Sequence, residues 1–490
     1  MYLTAQLRPF RPASAILLTF LLTIESICSV SFGQADNANP PEQIVKLIFI
    51  HHSTGENWLR DDYGKLGQAL GNNNYFVSDT NYGWGPNAIG DRTDIPDWLE
   101  WFRSADTPTY MQALYAEHEQ HSSYTRTLNN PGGPNKIVMF KSCFPNSNLE
   151  GNPNDAPNPT PGYTVGHAKY VYNQLLKYFD AHNDKLFIVV TAPPLRRAET
   201  SLQAAANARA FNNWLVYNWL WENNYTKSNV AVFDFYNVLT GANHHHYYLN
   251  DNITHIFGSQ NTAYYPTEDS HPSAVGSRKA SNEFVPLLNI YYHRWKAGAK
   301  NIALPSQPAY DGWILESSEN AGTGGTINQL GNLLKIGDDA ADRQYRSLIS
   351  FGTTSLPNNA EIVSAMIKLK ASGVTGNDPF TTLGALNADI RKGAFSSNLN
   401  LQAGDFQATA NKLSVATFNK IPVNRWYNAV MKSADFPRIN LSGATQFRLR
   451  FNQDDNDNQA ANYRDFYSGN ANLGNRPSFW LTYYEPSMLK

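Results

Sequence analysis

The chain has 490 residues, of which 42% are hydrophobic, and this is enough for two or more packed cores. Its formal net charge of -2 argues against a nucleic-acid-binding protein, because contacts with phosphates need a basic surface. Cys28 lies in a segment that we expect to be removed, so Cys143 would have no partner for an intrachain disulfide.

The N-terminal segment has the pattern of a signal peptide over residues 1–33. Arginines precede an apolar run over 13–24, and small residues allow cleavage after Gly33. The run is too short for a comfortable membrane span, although an uncleaved anchor is the alternative interpretation. We therefore expect a secreted, periplasmic or cell-surface protein with a polar tail over 34–45 and no stable membrane span after cleavage.

From residue 46 the chain alternates short apolar stretches with amphipathic ones. The apolar stretches are rich in β-branched residues, as strands buried on both faces should be, and the amphipathic ones have helical periodicity. This alternation predicts an α/β domain over 46–300 with a parallel sheet and helices on both faces. The predicted strands are 46–52, 136–142, 186–191 and 230–235, and the predicted helices are 166–181, 198–223 and 272–295.

Ser53 lies in the motif His51-His52-Ser53-Thr54-Gly55, where the first predicted strand ends. In open α/β sheets the carboxyl ends of the strands line the functional crevice. A serine on a tight turn there can act as a nucleophile and can present its own N–H to a developing oxyanion. A helix N-cap is the alternative interpretation and, for this motif alone, the better one.

His271 lies in a second motif, at 267–273, which follows the last predicted strand and precedes the last predicted helix. A serine nucleophile needs a base within hydrogen-bond reach, and the base needs an acid that fixes its tautomer. Glu268 lies three residues before His271 and is the first choice for this acid, with Asp269 as a close competitor. Taken alone, the motif also fits a loop histidine beside a charged helix start.

The order of these two motifs along a strand–helix alternation resembles that of SGNH/GDSL-type hydrolases, over residues 46–295. The segment 191–194 and the helical stretch at 207–215 look like the family's fourth strand and the helix after it. The segment 233–236 looks like its fifth strand. The resemblance implies a flavodoxin-like three-layer α/β/α sandwich with a parallel sheet. It also implies that Ser53 is the nucleophile.

The same resemblance implies that His271 is the base and that Glu268 is the acid, unless Asp269 takes that role. The family also uses a glycine and an asparagine as oxyanion donors. The asparagine that matches best is Asn146, with Asn148 in reserve, and the matching glycine is one of two in a single loop, Gly83 or Gly85.

The sequence departs from the family pattern around these positions. His51-His52 precedes the serine where the family has Gly-Asp, and the segment at 143–148 is an irregular match to the family's Gly-x-Asn-Asp motif. These departures concern the geometry of the oxyanion hole, and they leave the serine, histidine and acid in place.

Histidines offer a competing interpretation, a metal site. His51 and His52 could bind a metal together with the histidines at 244–246, because neutral imidazoles are common zinc ligands. Adjacent residues on a strand point to opposite faces, however, so we expect no metal site. Serine chemistry needs no metal, and no cofactor is expected.

Further candidates are charged or nucleophilic. Cys143 is interpreted as a buried structural thiol, since no partner motif for a nucleophile surrounds it. Lys141, Arg196 and Arg197 lie at predicted strand ends, where they could face an anionic substrate. Solvated surface charge is the default interpretation for these three cations.

Beyond a predicted linker at 301–309 the helical periodicity disappears. Alternating stretches separated by Asn, Gly and Asp clusters predict an all-β sandwich domain over 310–490. Its predicted strands are 348–351, 362–369, 446–451 and 479–484. The segments 345–351 and 362–369 resemble DNRLRE-type domains, which are jelly-roll-like β-sandwiches of secreted enzymes and surface proteins. Some of those domains bind polysaccharides.

Aromatic residues of this second domain could stack on sugars, although packing inside a sheet is the commoner role of such side chains. They are Trp313, Trp426, Tyr427 and Trp480. The acidic and amide run at 454–458 is interpreted as a solvated loop, with calcium binding as the alternative.

Together these patterns predict a secreted serine esterase that removes acyl groups, such as acetyl, from a polysaccharide. The ester class comes from the resemblance, and the polysaccharide comes from the predicted export and the appended β domain. One alternative is an inactive carbohydrate-binding or adhesive surface protein. Another is a lipid esterase or acyltransferase on the same scaffold. The expected partner is a polysaccharide or another ester substrate, without nucleic acid, and the oligomeric state stays open.

Overall fold

A computed structural model describes residues 36–485 of the chain. The predicted signal peptide, with Cys28, lies outside the described residues. Within the described part no helix is both long enough and apolar enough to cross a bilayer. Two regions are distinguished below, the α/β region at 45–296 and the β region at 300–484.

The α/β region is built on a five-stranded parallel sheet with the strand order β2-β1-β3-β4-β5. Every residue of these strands is buried, because helices cover both faces of the sheet. This confirms the parallel sheet predicted from the apolar stretches. The strands are β1 Val45–Ile50, β2 Tyr75–Asp79, β3 Ile137–Lys141, β4 Leu186–Val190 and β5 Val230–Phe233.

The helices of this region divide between two hydrophobic cores, one on each face of the sheet. Side chains of α3 to α7 pack on one face, while α1, α2, α8 and α9 pack on the other. The helices are α1 Thr54–Leu59, α2 Leu66–Gly71, α3 Trp98–Arg103, α4 Thr107–Ala116, α5 Val165–Ala181, α6 Leu202–Tyr217, α7 Trp219–Glu222, α8 Phe235–Val238 and α9 Ala274–Lys296.

Two of this region's differences from the sequence prediction lie after β4. The predicted helix at 198–223 is broken at Asn218 into α6 and α7. A hairpin of β6 His245–Leu249 and β7 Asn252–Ile256 also follows α8. Its turn residues, Asn250 and Asp251, both have positive φ, which suits a tight two-residue hairpin connection.

The β region is a twelve-stranded antiparallel sheet that curls around a large hydrophobic core, and a smaller buried cluster includes Ile314 and Phe406. The predicted strands at 348–351, 362–369, 446–451 and 479–484 all lie within observed strands. The elements are β8 Lys300–Pro305, β9 Gly312–Glu316, β10 Gly324–Asn328, β11 Leu333–Asp338, β12 Gln344–Gly352, β13 Glu361–Thr375, α10 Pro379–Thr382, β14 Leu386–Lys392, β15 Lys412–Thr417, β16 Trp426–Val430, β17 Ala444–Phe451, β18 Asn462–Tyr467 and β19 Ser478–Tyr484.

The segment at 301–309 differs from the predicted linker, because most of its first half belongs to β8. This strand pairs with β19 along its whole length, from Ser478↔Pro305 to Tyr483↔Lys300. The prolines suggested an extended connection, but β8 is an edge strand, where a proline is tolerated. The chain therefore enters the β region directly from α9.

Buried polar contacts join the two regions. The ammonium of Lys368 on β13 donates to the carbonyl of Tyr217 (2.6 Å) and to Oδ1 of Asn218 (2.9 Å), at the break between α6 and α7. The indole N–H of Trp221 donates to Ser478 on β19 (3.0 Å). These contacts hold the face of the β13–β19 strand pair against α7.

Candidate active site

Ser53 lies directly after β1, on a turn with unusual backbone geometry. Its φ is 47° and its ψ is -100°, a combination that a residue with a Cβ rarely adopts. Ser53 occupies the N-cap position of α1, yet its side chain makes no capping hydrogen bond. Its hydroxyl instead contacts Nε2 of His271. The structure therefore favours the nucleophile interpretation over the N-cap interpretation.

His271 is held between Ser53 and a carboxylate. Its Nδ1 lies 2.8 Å from Oδ2 and 2.9 Å from Oδ1 of Asp269. Because a carboxylate can only accept, Nδ1 carries the hydrogen and Nε2 is left to accept the proton of the Ser53 hydroxyl. This is the tautomer that a general base needs.

Asp269, rather than Glu268, is the acid that contacts the imidazole. Glu268 was the first choice from the sequence, but its side chain is exposed and makes no hydrogen bond within residues 36–485. The Asp269 carboxylate also accepts the backbone N–H of His271 (2.8 Å), and this bond, with the imidazole contact, lowers the pKa of Asp269 to about 2. The acid thus stands two residues before the histidine.

The turn that carries these residues is tied to the loop after β4. The guanidinium of Arg196 donates to the carbonyl of Glu268, and the backbone N–H of Arg196 donates to Oγ of Ser270 (3.0 Å). Ser270 in turn donates to Glu199. Arg196, which the sequence left between substrate contact and surface charge, is thus a positioning residue for the 267–271 turn.

Two of the four predicted oxyanion donors are engaged elsewhere. The N–H of Gly83 donates to Asp91 (2.8 Å). The amide of Asn146 is buried and donates to Asp94 (2.6 Å) and to the carbonyl of Cys143 (3.3 Å). The expectation that Gly83 or Asn146 donates to an oxyanion is therefore corrected. The Gly83 N–H holds its own loop, and the Asn146 side chain ties the loop after β3 to the segment at 94–95.

Other donors stay open at this end of the sheet. The backbone N–H of Ser53 makes no hydrogen bond within the described residues. Gly85 and Asn148 are exposed, and neither the Gly85 N–H nor the Asn148 side chain has a hydrogen-bond partner there. Gly85 has a φ of 81°, a left-handed conformation that favours glycine.

Behind Ser53 lies a fully buried polar group. Nε2 of His51 contacts Oδ2 of Asp79 at 3.2 Å. Asp79 also accepts the N–H of His121 (2.9 Å) and the hydroxyl of Tyr124 (3.1 Å). Burial lowers the pKa of His51, although Asp79 opposes the shift, so the imidazole is held neutral. His51 therefore supports the turn and does not serve as a second base.

The glycine of the first motif is required by this packing. A Cβ on Gly55 would lie 2.5 Å from Cβ of His51, which is far inside normal contact distance. The first turn of α1 therefore approaches β1 closely only because residue 55 has no side chain. This gives the motif His51-His52-Ser53-Thr54-Gly55 a structural reason for its last residue.

Some residues beside Ser53 were not anticipated as parts of the site. The ring of Phe144 packs edge-on against the imidazole of His271, with centroids 4.9 Å apart. Oγ1 of Thr54 lies 3.1 Å from Sγ of Cys143, which is buried as predicted. The only sequence signal for these contacts was that 143–148 follows β3, at the carboxyl edge of the sheet.

Lys141, at the end of β3, is fully buried, and its ammonium has no hydrogen-bond partner in the described part of the chain. Burial lowers the pKa of Lys141, with Cys143 and Asp94 as opposing neighbours. The neighbouring His52 has its pKa lowered to about 4 by burial and then by Lys141. His52 is therefore neutral near pH 7.

The histidines that suggested a metal site do not come together. His245 pairs with Glu283 (2.7 Å), and His246 accepts the backbone N–H of Asp234 (3.0 Å). Within residues 36–485 no cluster of three or more His, Cys, Asp or Glu side chains has the arrangement of a metal site. This range includes the acidic loop at 454–458.

No family model matches the chain, and a search of curated proteins finds no match either. The site is therefore described by its own geometry. A strained serine, a histidine and an aspartate stand in contact at the carboxyl edge of a parallel sheet.

Proposed function

We propose that this chain is a secreted serine esterase of the SGNH/GDSL type. The observation that carries the proposal is the chain of contacts from Ser53 through His271 to Asp269. A hydroxyl bonded to an imidazole that a carboxylate orients is the arrangement by which serine hydrolases activate their nucleophile. The strained backbone of Ser53 adds support, since strain of this kind is concentrated at functional sites.

The fold adds further support. The strand order β2-β1-β3-β4-β5 is typical of flavodoxin-like sheets, whose sites lie at the carboxyl ends of the strands. Ser53 follows β1, the second strand in this order, and the 267–271 turn is tied to the loop after β4. We also propose that the β region is a jelly-roll-like module appended to the hydrolase, comparable to DNRLRE-type domains.

The proposed reaction has two halves. In the first, the Ser53 oxygen bonds to the ester carbonyl carbon while Nε2 of His271 takes the hydroxyl proton. The tetrahedral intermediate then collapses, the bond to the alcohol breaks, and His271 returns the proton to the leaving alcohol. In the second, water attacks the acyl-serine, with His271 again as base, and Ser53 is restored with release of the acid.

The negative oxygen of each tetrahedral intermediate needs hydrogen-bond donors. The free N–H of Ser53 is the proposed first donor, and Gly85 or Asn148 the proposed second. A hydrolase with a single donor would be slower by roughly two to three orders of magnitude. The engagement of Gly83 and Asn146 therefore favours one alternative, an inactive carbohydrate-binding protein on the same scaffold.

The proposed substrate is an acylated polysaccharide, such as one that carries acetyl esters. This part of the proposal depends on the predicted signal peptide and on the appended β region, which suit an enzyme that meets polymers outside the cell. Release of acetate from acetylated xylan, pectin or chitin, compared with hydrolysis of long-chain acyl esters, separates this substrate class from a lipid.

Hydrolysis of 4-nitrophenyl acetate by the mature chain tests the proposal. We expect Ser53→Ala to lower kcat/KM by at least about 10³-fold, because within residues 36–485 the Ser53 hydroxyl is the group bonded to Nε2 of His271. Ser355→Ala, which removes an exposed hydroxyl in the β region, is the matched control and should leave the rate unchanged. Equal rates for Ser53→Ala and the unaltered chain would support the inactive alternative.

A further inference from the structure

A cavity of about 650 Å³ lies between the two regions of the molecule. One wall is formed by the end of α6, by α7 and by β7. The other wall is the outward face of β13, β16 and β19. We call this space the inter-region cleft. Its lining includes aromatic rings, amides and hydroxyls, the mixture that small-molecule sites use.

Asn428 on β16 makes this cleft unusual. Its side chain lines the cleft and is 4% exposed, yet neither Oδ1 nor Nδ2 has a hydrogen-bond partner within the described residues. A buried amide without partners costs about 1–3 kcal/mol, and native proteins leave few of them. An amide offers donors and an acceptor together, so it suits a ligand that also carries both.

Trp480 lies on the same wall as Asn428. In the β16–β13–β19 register, Asn428 is opposite Lys368, while Trp480 is opposite Met366, two residues away along β13. Since alternate residues of a strand share a face, both side chains project into the cleft. Their Cα atoms are about 12 Å apart by strand spacing and rise, a span that exceeds one sugar ring.

Hydroxyls add further unpaired polar groups to the cleft. Ser364 on β13 and Thr254 on β7 both line it, from opposite walls. Within residues 36–485 neither hydroxyl makes a hydrogen bond. A ligand in the cleft can therefore hydrogen-bond to both regions at once.

The charged groups that line the cleft are already partnered. Arg294 is paired with Asp36, His255 contacts Asp234, and His246 accepts the backbone N–H of Asp234. Lys432 is exposed at the rim. The polar groups that face the interior of the cleft without a hydrogen-bond partner are neutral, so the cleft suits an uncharged ligand.

We infer that the inter-region cleft binds a neutral oligosaccharide at a site separate from Ser53. The Trp480 indole offers an apolar surface for the C–H face of a sugar ring, and Asn428 offers paired donor and acceptor groups for hydroxyls. The choice of a sugar among neutral ligands rests on the proposed function, whose substrate is a polysaccharide.

The cleft is remote from the reacting ester. It lies against β5, one of the two edge strands of the parallel sheet, whereas Ser53 follows β1. Two strands separate them in the sheet order, so the two sites are about 14 Å apart across the sheet. A polymer chain held in the cleft would keep the enzyme on its substrate while other sugars of the same polymer reach Ser53.

Isothermal titration of the mature Ser53→Ala chain with xylohexaose, cellohexaose and chitohexaose tests this inference. The Ser53→Ala background separates binding in the cleft from turnover, so a failed esterase assay does not affect the result. We expect at least one hexasaccharide to bind, and we expect Asn428→Ala and Trp480→Ala each to weaken that binding about tenfold or more.

Tyr467→Ala is the matched control, since Tyr467 is another partly buried aromatic residue of the β region but does not line the cleft. Thermal unfolding of every variant verifies that it is folded. Asn428→Ala should not lower the unfolding temperature, because it removes an amide that has no hydrogen-bond partner among residues 36–485. The inference is wrong if none of the three sugars binds, or if binding survives both cleft substitutions.

Discussion

Two histidine–aspartate pairs flank Ser53, and their surroundings differ completely. In the pair of His271 and Asp269 the side chains are 23% and 54% exposed, whereas those of His51 and Asp79 are both 0% exposed. The nitrogen–oxygen distances are similar, 2.8 Å and 3.2 Å. Exposure, more than the contact itself, therefore separates a pair that can exchange protons with a substrate from one that supports the fold.

The same contrast extends to the groups around each pair. Asp269 is fixed by backbone and hydroxyl donors of its own turn, and its lowered pKa keeps the carboxylate charged at any pH used for an esterase. Asp79 is fixed by donors from other parts of the chain, including His121 and Tyr124. Loss of Asp269 should therefore change the rate, and loss of Asp79 should change the stability.

The largest effect is expected for the acid of the exposed pair. Asp269→Asn should lower kcat/KM for 4-nitrophenyl acetate by about 10³-fold or more, because an amide no longer holds the Nδ1–H tautomer of His271. Glu268→Gln is the matched control, one residue away and exposed, and should stay within about twofold of the unaltered chain. A larger loss for Glu268→Gln would return the role to the residue favoured by spacing.

Much of the fold could be predicted because burial on both faces leaves a clear apolar signal. β1, β3, β4 and β5 were all predicted within one or two residues of their bounds. β2 was missed because it ends in Ser78 and Asp79, polar residues that are buried through hydrogen bonds. A strand whose polar side chains find partners in distant segments carries no apolar pattern.

The site was predictable only in part, for a related reason. Ser53 and His271 follow from the order of two motifs along the chain. The acid cannot be identified from that order, because Glu268 and Asp269 are adjacent and have nearly the same spacing to His271. The oxyanion donors cannot be identified from the sequence either. The amides of Gly83 and Asn146 donate to aspartates, and only the folded structure shows that these aspartates lie close to them.

The second largest effect is expected in the buried pair. Asp79→Asn gives the neutral His51 and the other donors to residue 79 an uncharged acceptor, and the loss of hydrogen bonding to a buried charged group costs about 1.5–3 kcal/mol. Urea unfolding should show this loss, while kcat/KM of the folded variant should stay within about tenfold of the unaltered chain. Asp62→Asn, in an exposed pair with Arg60, is the control and should unfold as the unaltered chain does. A rate loss as large as that of Asp269→Asn would place Asp79 in catalysis.

The smallest effect concerns Lys141, a buried charge without a hydrogen-bond partner in the described residues. Lys141→Met should raise the free energy of unfolding by about 1–2 kcal/mol near pH 6, because burial disfavours the ammonium. Because the pKa of Lys141 is lower in the folded state than in the unfolded state, the stability penalty for burying its ammonium decreases as the pH rises. Below the folded-state pKa both states carry the proton and the penalty is complete. As the pH rises toward the unfolded value of about 10.4, only the folded state loses its proton and the penalty disappears.

The advantage of Lys141→Met over the unaltered chain should therefore shrink between pH 6 and pH 10, as measured by urea unfolding at each pH. Lys136→Met, at an exposed lysine just before β3, reports the effect of the substitution itself. If Lys141→Met is less stable at every pH, the ammonium has a bonding role. If instead Lys141→Met is as stable as the unaltered chain but loses esterase activity, Lys141 acts on the substrate. Burial alone would then not distinguish catalytic residues from residues that stabilise the fold.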